Sequence, residues 1–399
     1  MQNYSVKKME DKDYFQVLNI WSGSYQFSVS NEMLKEPKEL NIIVLKDESE
    51  RILSCADFVT TRVIFCDREI EVVKIYRVAT LLSERRKGYS KRLIIDSLRN
   101  ERSNGRAIAW LKTKSDEIYS GIGFVSGLVC SKARINISDL VSIKPQGKIL
   151  QLEPWLIGSI QNICEGLEST YSAFAKTYNF MAIREKEYWE KLINNKNFFK
   201  YHRLFVLYDD KDKIQGYLIT SISSEKLLSI REFCWNGINA FQSALGFFRS
   251  LIGQFNQIEI NLPFEVPMHH SLVNIDSNQI SLKSLGLVRI LNVEVILTSI
   301  HLSSDFARTV FYVYDDLFDE NTGIYTIERD SAQRASVMFT HSKTELKNKL
   351  SVKLLTKLVI FGYNPLFFSD TILDSEFEKQ LKELFLPRPT FYIDGVENI

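Results

Sequence analysis

Little in this sequence points to disulfides, metals or membranes. Of 399 residues only five are cysteine (Cys55, Cys66, Cys130, Cys164 and Cys234), and they are scattered without a CxxC. An odd, dispersed set reads as reduced thiols rather than a disulfide framework. The five histidines have no HExxH spacing, and the adjacent His269 and His270 read as a loop pair, so no metal is expected. No stretch approaches the roughly 18 apolar residues of a spanning helix, and Met-Gln-Asn-Tyr-Ser-Val-Lys-Lys has no apolar run behind it to form a secretory leader. The expectation is a cytoplasmic chain without membrane association. Charge of one sign is also missing: 50 basic against 49 acidic residues leave a net +1. That balance provides no global field for nucleic acid or an anionic surface.

What is present suits folded domains. With 45% hydrophobic and 12% aromatic residues the chain can bury real cores. At about 150 residues per domain, two or three domains are expected. Residues 1–147 read as mixed α and β structure. Strands are expected at 42–45, 52–60, 62–66 and 70–82, with a hairpin turn at Asp67-Arg68. A helix follows from Tyr89, with Leu93, Ile94, Ser97 and Leu98 at core spacing, and Asn104-Gly105 stops it. A strand at 107–111, a short helix at 115–119 and a strand or hairpin at 124–137 complete this part.

After Pro145-Gln-Gly147 the pattern restarts with helices at 152–167 and 186–193. Strands at 204–207, 214–221 and 227–234, a helix at 237–252 and a strand at 257–261 then repeat the earlier order. Residues 148–285 thus read as a second copy. From Ser284 the character changes: β segments at 287–297, 308–314, 323–328 and 335–339, a capping-box pattern at Ser342-Lys-Thr-Glu, and an apolar helix at 350–361 stopped by Gly362. Its apolar face (Val352, Leu354, Leu355, Leu358, Val359) reads as core, with a lipid pocket as the minor alternative.

Chemistry concentrates in two places. The first is Val78-Ala-Thr-Leu-Leu-Ser-Glu-Arg-Arg-Lys-Gly-Tyr-Ser90, an apolar strand running through a basic Gly-containing turn into a helix. A helix start frees backbone N–H groups for a phosphate or pyrophosphate. Arg85, Arg86, Lys87, Lys91 and Arg92 crowd that start, where the macrodipole favours acids, a conflict of roughly 0.3–1 kcal/mol per exposed charge that a bound anion would remove. On charge alone, a solvated basic loop is an equal reading. The second is Ser115-Asp-Glu-Ile-Tyr119-Ser-Gly-Ile-Gly123-Phe124. A phenol with pKa near 10 stays protonated at neutral pH and can donate to a departing thiolate. A lone tyrosine in a turn is otherwise an aromatic anchor.

Arg85-Arg86-Lys87-Gly88-Tyr89-Ser90 resembles the Arg/Gln-x-x-Gly-x-Gly/Ala loop of the GCN5-related N-acetyltransferases (GNAT superfamily), with Ser90 in the last small position. Tyr119-Ser-Gly-Ile-Gly-Phe124 resembles the same superfamily's Tyr-x-x-x-Gly-Phe segment. Over its whole length the chain resembles the enhanced-intracellular-survival (Eis-type) acetyltransferases, most clearly at Tyr76–Lys91 and Ser115–Phe124, with Leu82 where many relatives have Pro. The resemblance implies an α+β (mixed α/β) chain of two tandem GNAT-like domains, 1–147 and 148–285, the second degenerate because Trp235-Asn-Gly-Ile-Asn-Ala-Phe has no basic Gly loop. A smaller sterol-carrier-like domain, 286–399, would follow.

By the same resemblance, acetyl-CoA is the cosubstrate and no metal takes part. Val78 and Thr80 would meet the acetyl and pantetheine portion, and Arg85, Arg86, Lys87, Gly88, Tyr89 and Ser90 the pyrophosphate. Ser115 would lie near the cofactor tail and Tyr119 would be the general acid. The C-terminal carboxylate, here of Ile399, would help deprotonate the amine, with Asp394, Glu397 or a water relay as substitutes. An oxyanion would be stabilised by backbone N–H groups near Val78–Leu81. The implied acceptor is a small-molecule or peptide amine of aminoglycoside, polyamine or lysine type, and the implied assembly a hexamer. The stretch Tyr14-Phe15, Trp21, Tyr25-Gln-Phe27 with Glu32 and Glu36 has residues suited to a cationic acceptor, and equally to core and surface. A non-catalytic CoA, acyl-CoA or lipid-binding protein is the alternative, and an oligomerising scaffold a third.

Overall fold

In the computed structural model, residues 4–27, 41–113, 117–144, 147–153, 160–224, 226–331, 334–368 and 373–392 are described. Strand β1 (Ser5–Lys8), helix α1 (Tyr14–Tyr25) and strand β2 (Ile42–Lys46) open the chain. The apolar runs expected as separate strands at 52–60 and 62–66 form one strand, β3 (Ile52–Phe65), which turns directly into β4 (Arg68–Thr80). Cys66 and Asp67 both take positive φ (49° and 59°), as a two-residue hairpin turn matched to strand twist requires. Helix α2 (Tyr89–Ser103), strand β5 (Ile108–Leu111) and the four-residue helix α3 (Glu117–Ser120) follow.

The second stretch comprises β6 (Val125–Asn136), β7 (Lys148–Gln151), α4 (Ile160–Ala175), α5 (Lys186–Asn194) and α6 (Lys196–Tyr201). Then come β8 (Arg203–Tyr208), β9 (Ile214–Ser224), β10 (Leu227–Trp235), α7 (Gly237–Ser250), β11 (Gln257–Leu262) and β12 (Gln279–Ile290). The chain ends with α8 (Val293–Ser299), β13 (Arg308–Tyr314), β14 (Gly323–Arg329), β15 (Ala335–His341), β16 (Lys349–Ser351), α9 (Val352–Phe361) and α10 (Ser375–Leu384).

Contacts divide the chain into two compact units. One gathers residues 1–62, 68–127 and 286–387; the other gathers 63–67, 128–285 and 388–399. In the first, β1, β2, β3 and β4 lie side by side, and β4 pairs in parallel with β5 at Val72–Ile75 against Ile108–Leu111. Leu287–Ile290 of β12 closes the other side of β5 in antiparallel register. Leu93, Ile94 and Leu98 of α2 are fully buried with Phe58, Val73, Ala109, Tyr119 and Phe124, so the helix crosses over the sheet it connects. A separate sheet of order β15-β14-β13-β16 completes this unit.

The second unit repeats the plan. The hairpin β9–β10 leads through α7 to β11, which lies parallel to β10, and Ala244, Leu245 and Phe248 of α7 occupy the places of the α2 core residues. The two connections from strand to helix differ. Residues 81–88 separate β4 from α2, whereas Asn236 alone separates β10 from α7. Rings fill the end of β10: Trp235 has Phe233, Phe174 and Phe241 at 4.6, 4.7 and 5.1 Å between centroids.

Three further local expectations change. The apolar run 287–297 is not one β segment: β12 stops at Ile290 and Asn292 caps α8, its side chain accepting from the Val295 N–H at 3.2 Å. Burial decides this, because Val293, Ile296 and Leu297 share an inner helical face. At Ser342-Lys-Thr-Glu the serine hydroxyl accepts from the Thr344 N–H at 3.0 Å, a local turn that competes with helix, and no helix forms there. The helix expected at 152–167 is described from Ile160 to Ala175.

Candidate functional site

The site begins at an irregularity in β4. Its parallel pairing with β5 reaches Ile75, but the strand continues to Thr80, and Arg77 within that extension takes φ 50°. Left-handed backbone at a non-glycine residue inside a strand marks a bulge that re-aims the rest of the strand. Helix α1 holds the bulge. The Trp21 indole donates to the Arg77 carbonyl at 2.9 Å, and the Tyr25 hydroxyl donates to the Val78 carbonyl at 3.0 Å. The Arg77 guanidinium lies 4.6 Å from the Trp21 ring centre and 2.5 Å from an oxygen of the buried Asp57. Beyond the bulge Ser54 donates to the Ala79 carbonyl at 2.8 Å, and the Leu81 N–H donates to the Leu53 carbonyl at 2.9 Å.

The loop then turns into α2 through two left-handed residues, Arg86 (φ 64°) and Gly88 (φ 84°), the latter at the helix N-cap. A Cβ added to Gly88 would meet nothing within 4 Å, so glycine is needed here for its φ and the space beside it is open. Gly88 has no side chain to cap α2, and no side chain among the described residues does so in its place, which leaves the first N–H groups available to an anion. The cations around it are unequally committed. Lys87 is tied to Glu84 at 2.7 Å, and this bond holds the Glu84 carboxyl below its usual range. Arg85 donates to the neutral Ser24 hydroxyl at 3.2 Å, and Arg86 and Lys91 have no side-chain partner among the described residues.

Opposite stands Tyr119 in α3, only 8% exposed and edge-on to Phe124 at 6.1 Å between ring centres. Its hydroxyl has no hydrogen-bond partner among the described residues, and burial pushes its pKa above the ordinary phenol value. The Tyr119 carbonyl accepts from the Ile122 and Phe124 N–H groups at 3.0 and 3.2 Å, which closes the turn after the helix.

A cavity of about 700 Å³ brings these pieces together: Val78, Thr80, Arg85, Arg86, Gly88, Tyr89, Ser90 and Tyr119 all line it. Lys87 does not, being turned to Glu84. Ser115, Ile399, Asp394, Glu397, Glu32 and Glu36 lie outside the described residues. Of the aromatics considered for an acceptor, Tyr25 lines the cavity, Trp21 braces the bulge, Tyr14 is core, and Phe15 is 69% exposed. Among the described residues no group of three or more His, Cys, Asp or Glu side chains could hold a metal, and no helix is long and apolar enough to cross a membrane.

Sequence reading missed Ser24, Glu84 and Ile118 in the cavity wall and the bracing of the bulge from α1. The left-handed Arg77 leaves no trace in composition, since arginine is not a residue that signals φ > 0.

Known proteins share the domains and the fold of this chain. Residues 5–126 match an acetyltransferase (GNAT) domain family, and residues 181–290 match a second acetyltransferase (GNAT) domain family. No curated protein matches the chain. Among solved structures, a probable N-acyltransferase from Enterococcus faecalis V583 aligns with TM-score 0.83 at 17% identity, over 99% of this chain and all of that one. A GCN5-related N-acetyltransferase from Anabaena variabilis ATCC 29413 aligns with TM-score 0.82 at 17% identity, over 98% and 99% of the two chains. Eis1 from Mycobacterium abscessus aligns with TM-score 0.75 at 15% identity over the same shares.

Proposed function

Because two acetyltransferase (GNAT) domains in tandem make this chain an acetyltransferase, we propose that it moves acetyl from acetyl-CoA to a primary amine in the cavity between the β4 bulge, the α2 start and Tyr119. The observation that carries this reading is convergence. A basic, glycine-turned helix start, a bulged strand and a buried phenol, each from a different stretch of the first 126 residues, line one cavity. The fit to the cosubstrate rests on the α2 N-terminus with glycine at its cap, on Arg86 and Lys91, which have no side-chain partner among the described residues, and on the open space beside Gly88. That set suits a pyrophosphate.

Acetyl-CoA supplies an activated acyl group on a thiol leaving group. The amine attacks without its proton, because an ammonium has no lone pair; the C–N bond forms and the C–S bond breaks. Backbone N–H groups over Val78–Thr80 are assigned to the developing oxyanion. Leu81 is not included, since its N–H is spent on Leu53. Tyr119 gives its proton to the departing sulfur and recovers one from solvent. The carboxylate of Ile399, with Asp394 and Glu397 as substitutes, is the proposed acceptor of the amine proton.

The proposed type is Eis-like, with domains 1–147, 148–285 and 286–399, the last of sterol-carrier kind, in a cytoplasmic hexamer. The second domain would not bind the cosubstrate, because Asn236 alone replaces the loop of residues 81–88. Acceptors of aminoglycoside, polyamine or lysine type fit the aromatic wall provided by Tyr25 and Tyr119. The test is calorimetry with acetyl-CoA, then free-thiol release with spermidine, tobramycin and a lysyl peptide. Binding with amine-dependent release supports the enzyme. Binding without release moves the reading to a CoA sensor, and absence of binding reduces the Arg85–Ser90 loop to a basic turn.

A further inference from the structure

Tyr119 sits in a helix of four residues, too short to fix a side chain by its own hydrogen bonds. The turn behind it must be held from elsewhere. Arg289, in β12, has a side chain only 1% exposed. Its Nη1 donates to the Ile122 carbonyl at 2.7 Å, and its Nη2 donates to Asp315 Oδ1 at 2.5 Å. The guanidinium also lies 4.9 Å from the Phe318 ring centre.

Gly123 records the same approach from the other side. It takes φ 90°, and a Cβ built there would stand 1.4 Å from Arg289 Nη1. Any side chain at 123 would displace the guanidinium. The glycine of the Tyr-x-x-x-Gly-Phe segment is therefore explained by a residue far away in sequence. Asp315 is a firm anchor. Its Oδ1 also accepts from the Leu317 and Phe318 N–H groups at 3.0 and 3.3 Å, and its Oδ2 from the Asn321 amide at 2.9 Å.

We propose that Arg289, anchored on Asp315, is the positioning residue for Tyr119: by holding the Ile122 carbonyl and occupying the space opposite Gly123, it fixes the turn that sets where the Tyr119 hydroxyl stands. This rests on the reading of Tyr119 as the acid. A buried ion pair that serves stability alone would bear no special relation to Tyr119, and that difference is measurable.

The experiment compares Arg289→Lys, Tyr119→Phe and the double variant in the full chain, with acetyl-CoA and the amine that the wild type turns over. Lysine keeps the charge but cannot reach Ile122 and Asp315 together through a planar fork. Arg289→Lys is expected to lower kcat by about tenfold while acetyl-CoA affinity stays within about twofold, and to have almost no effect in the Tyr119→Phe background, as groups acting through one another are non-additive. In parallel, the ¹³Cζ resonance of Tyr119, assigned by its loss in Tyr119→Phe, is expected to move and to titrate at lower pH in Arg289→Lys. If Arg289→Lys does not fold, Asp315→Asn, which keeps the arginine and the side-chain volume, is read in the same way.

Additive losses in the double variant, or an unmoved Tyr119 resonance, overturn the proposal. A moved resonance with full activity in Tyr119→Phe leaves Arg289 as the positioning residue and removes Tyr119 as the acid. The two readings thus fail separately.

Discussion

The indole nitrogen of Trp21 donates to the carbonyl of Arg77 at 2.9 Å, joining the first helix to the one left-handed residue of β4. The same arginine folds back over the Trp21 ring. The bulge is therefore clamped from both its backbone and its side chain, and the clamp acts on the strand end that carries Val78 and Thr80 into the cavity.

Replacing Trp21 with Phe keeps an aromatic ring and removes the donor. A lost hydrogen bond of this kind costs about 1 kcal/mol, and if it is all expressed at the strand end, acetyl-CoA binds about fivefold more weakly. Calorimetry on Trp21→Phe measures it; unchanged affinity would detach the bulge from the cosubstrate.

Gly88 separates backbone from space. Gly88→Ala adds only a methyl group where nothing lies within 4 Å, but at φ 84° it costs roughly 1–2 kcal/mol. A modest loss of thermal stability is expected, with binding retained. Gly88→Glu adds bulk and a negative charge beside the α2 start and is expected to abolish acetyl-CoA binding. Retained binding in Gly88→Glu would displace the pyrophosphate from this loop.

For Tyr119, Tyr119→Phe is expected to lower kcat by about 10²-fold, the lower end of what a positioned acid contributes, with acetyl-CoA affinity unchanged. The pH profile carries a sign. Burial raises the Tyr119 pKa above its ordinary 10, so the proton is retained through neutral pH, and kcat should fall only beyond about pH 10. The phenol's contribution to stability has the same direction. It is present below the unfolded value near 10 and is lost as pH rises from there through the folded value. A limb near pH 7 to 8 that survives in Tyr119→Phe would belong to another group.

In the second unit Arg184 and Glu232 form a buried two-point pair at 2.5 and 3.1 Å, with Arg184 lying 4.4 Å from the Tyr171 ring centre and 4.6 Å from that of Tyr188. Removing one partner strands the other charge. Glu232→Gln is expected to destabilise by about 3–5 kcal/mol, and an apolar replacement of both partners by much less. Thermal unfolding of the two variants decides it: equal losses would mean that the pair is worth no more than its packing.

How far the sequence discloses this molecule depends on how local each constraint is. The crossover α2 is legible, because Leu93, Ile94 and Leu98 repeat at helical spacing and all bury on one sheet. The loop Arg85–Ser90 and Tyr119 are legible by spacing, and all but Lys87 line the cavity. Helix α8 reads as strand from its sequence because its apolar run has no internal breaker, and only burial chooses the period. Arg289 is invisible there: nothing near it in sequence marks a partnership with Ile122 and Gly123, 167 and 166 positions earlier.

The unit that holds the cavity is assembled from both ends of the chain, residues 1–62 and 68–127 together with 286–387. During synthesis this imposes a wait. Once Ile108–Leu111 has emerged, its partner Leu287–Ile290 is still 176 residues from being made, roughly 9–35 s at ordinary elongation rates of about 5–20 residues per second. Throughout that interval β5 presents an open edge of backbone donors and acceptors, the kind of surface through which nascent chains aggregate. Faster elongation between residues 111 and 287 shortens the time for which that edge is open, and slower elongation lengthens it.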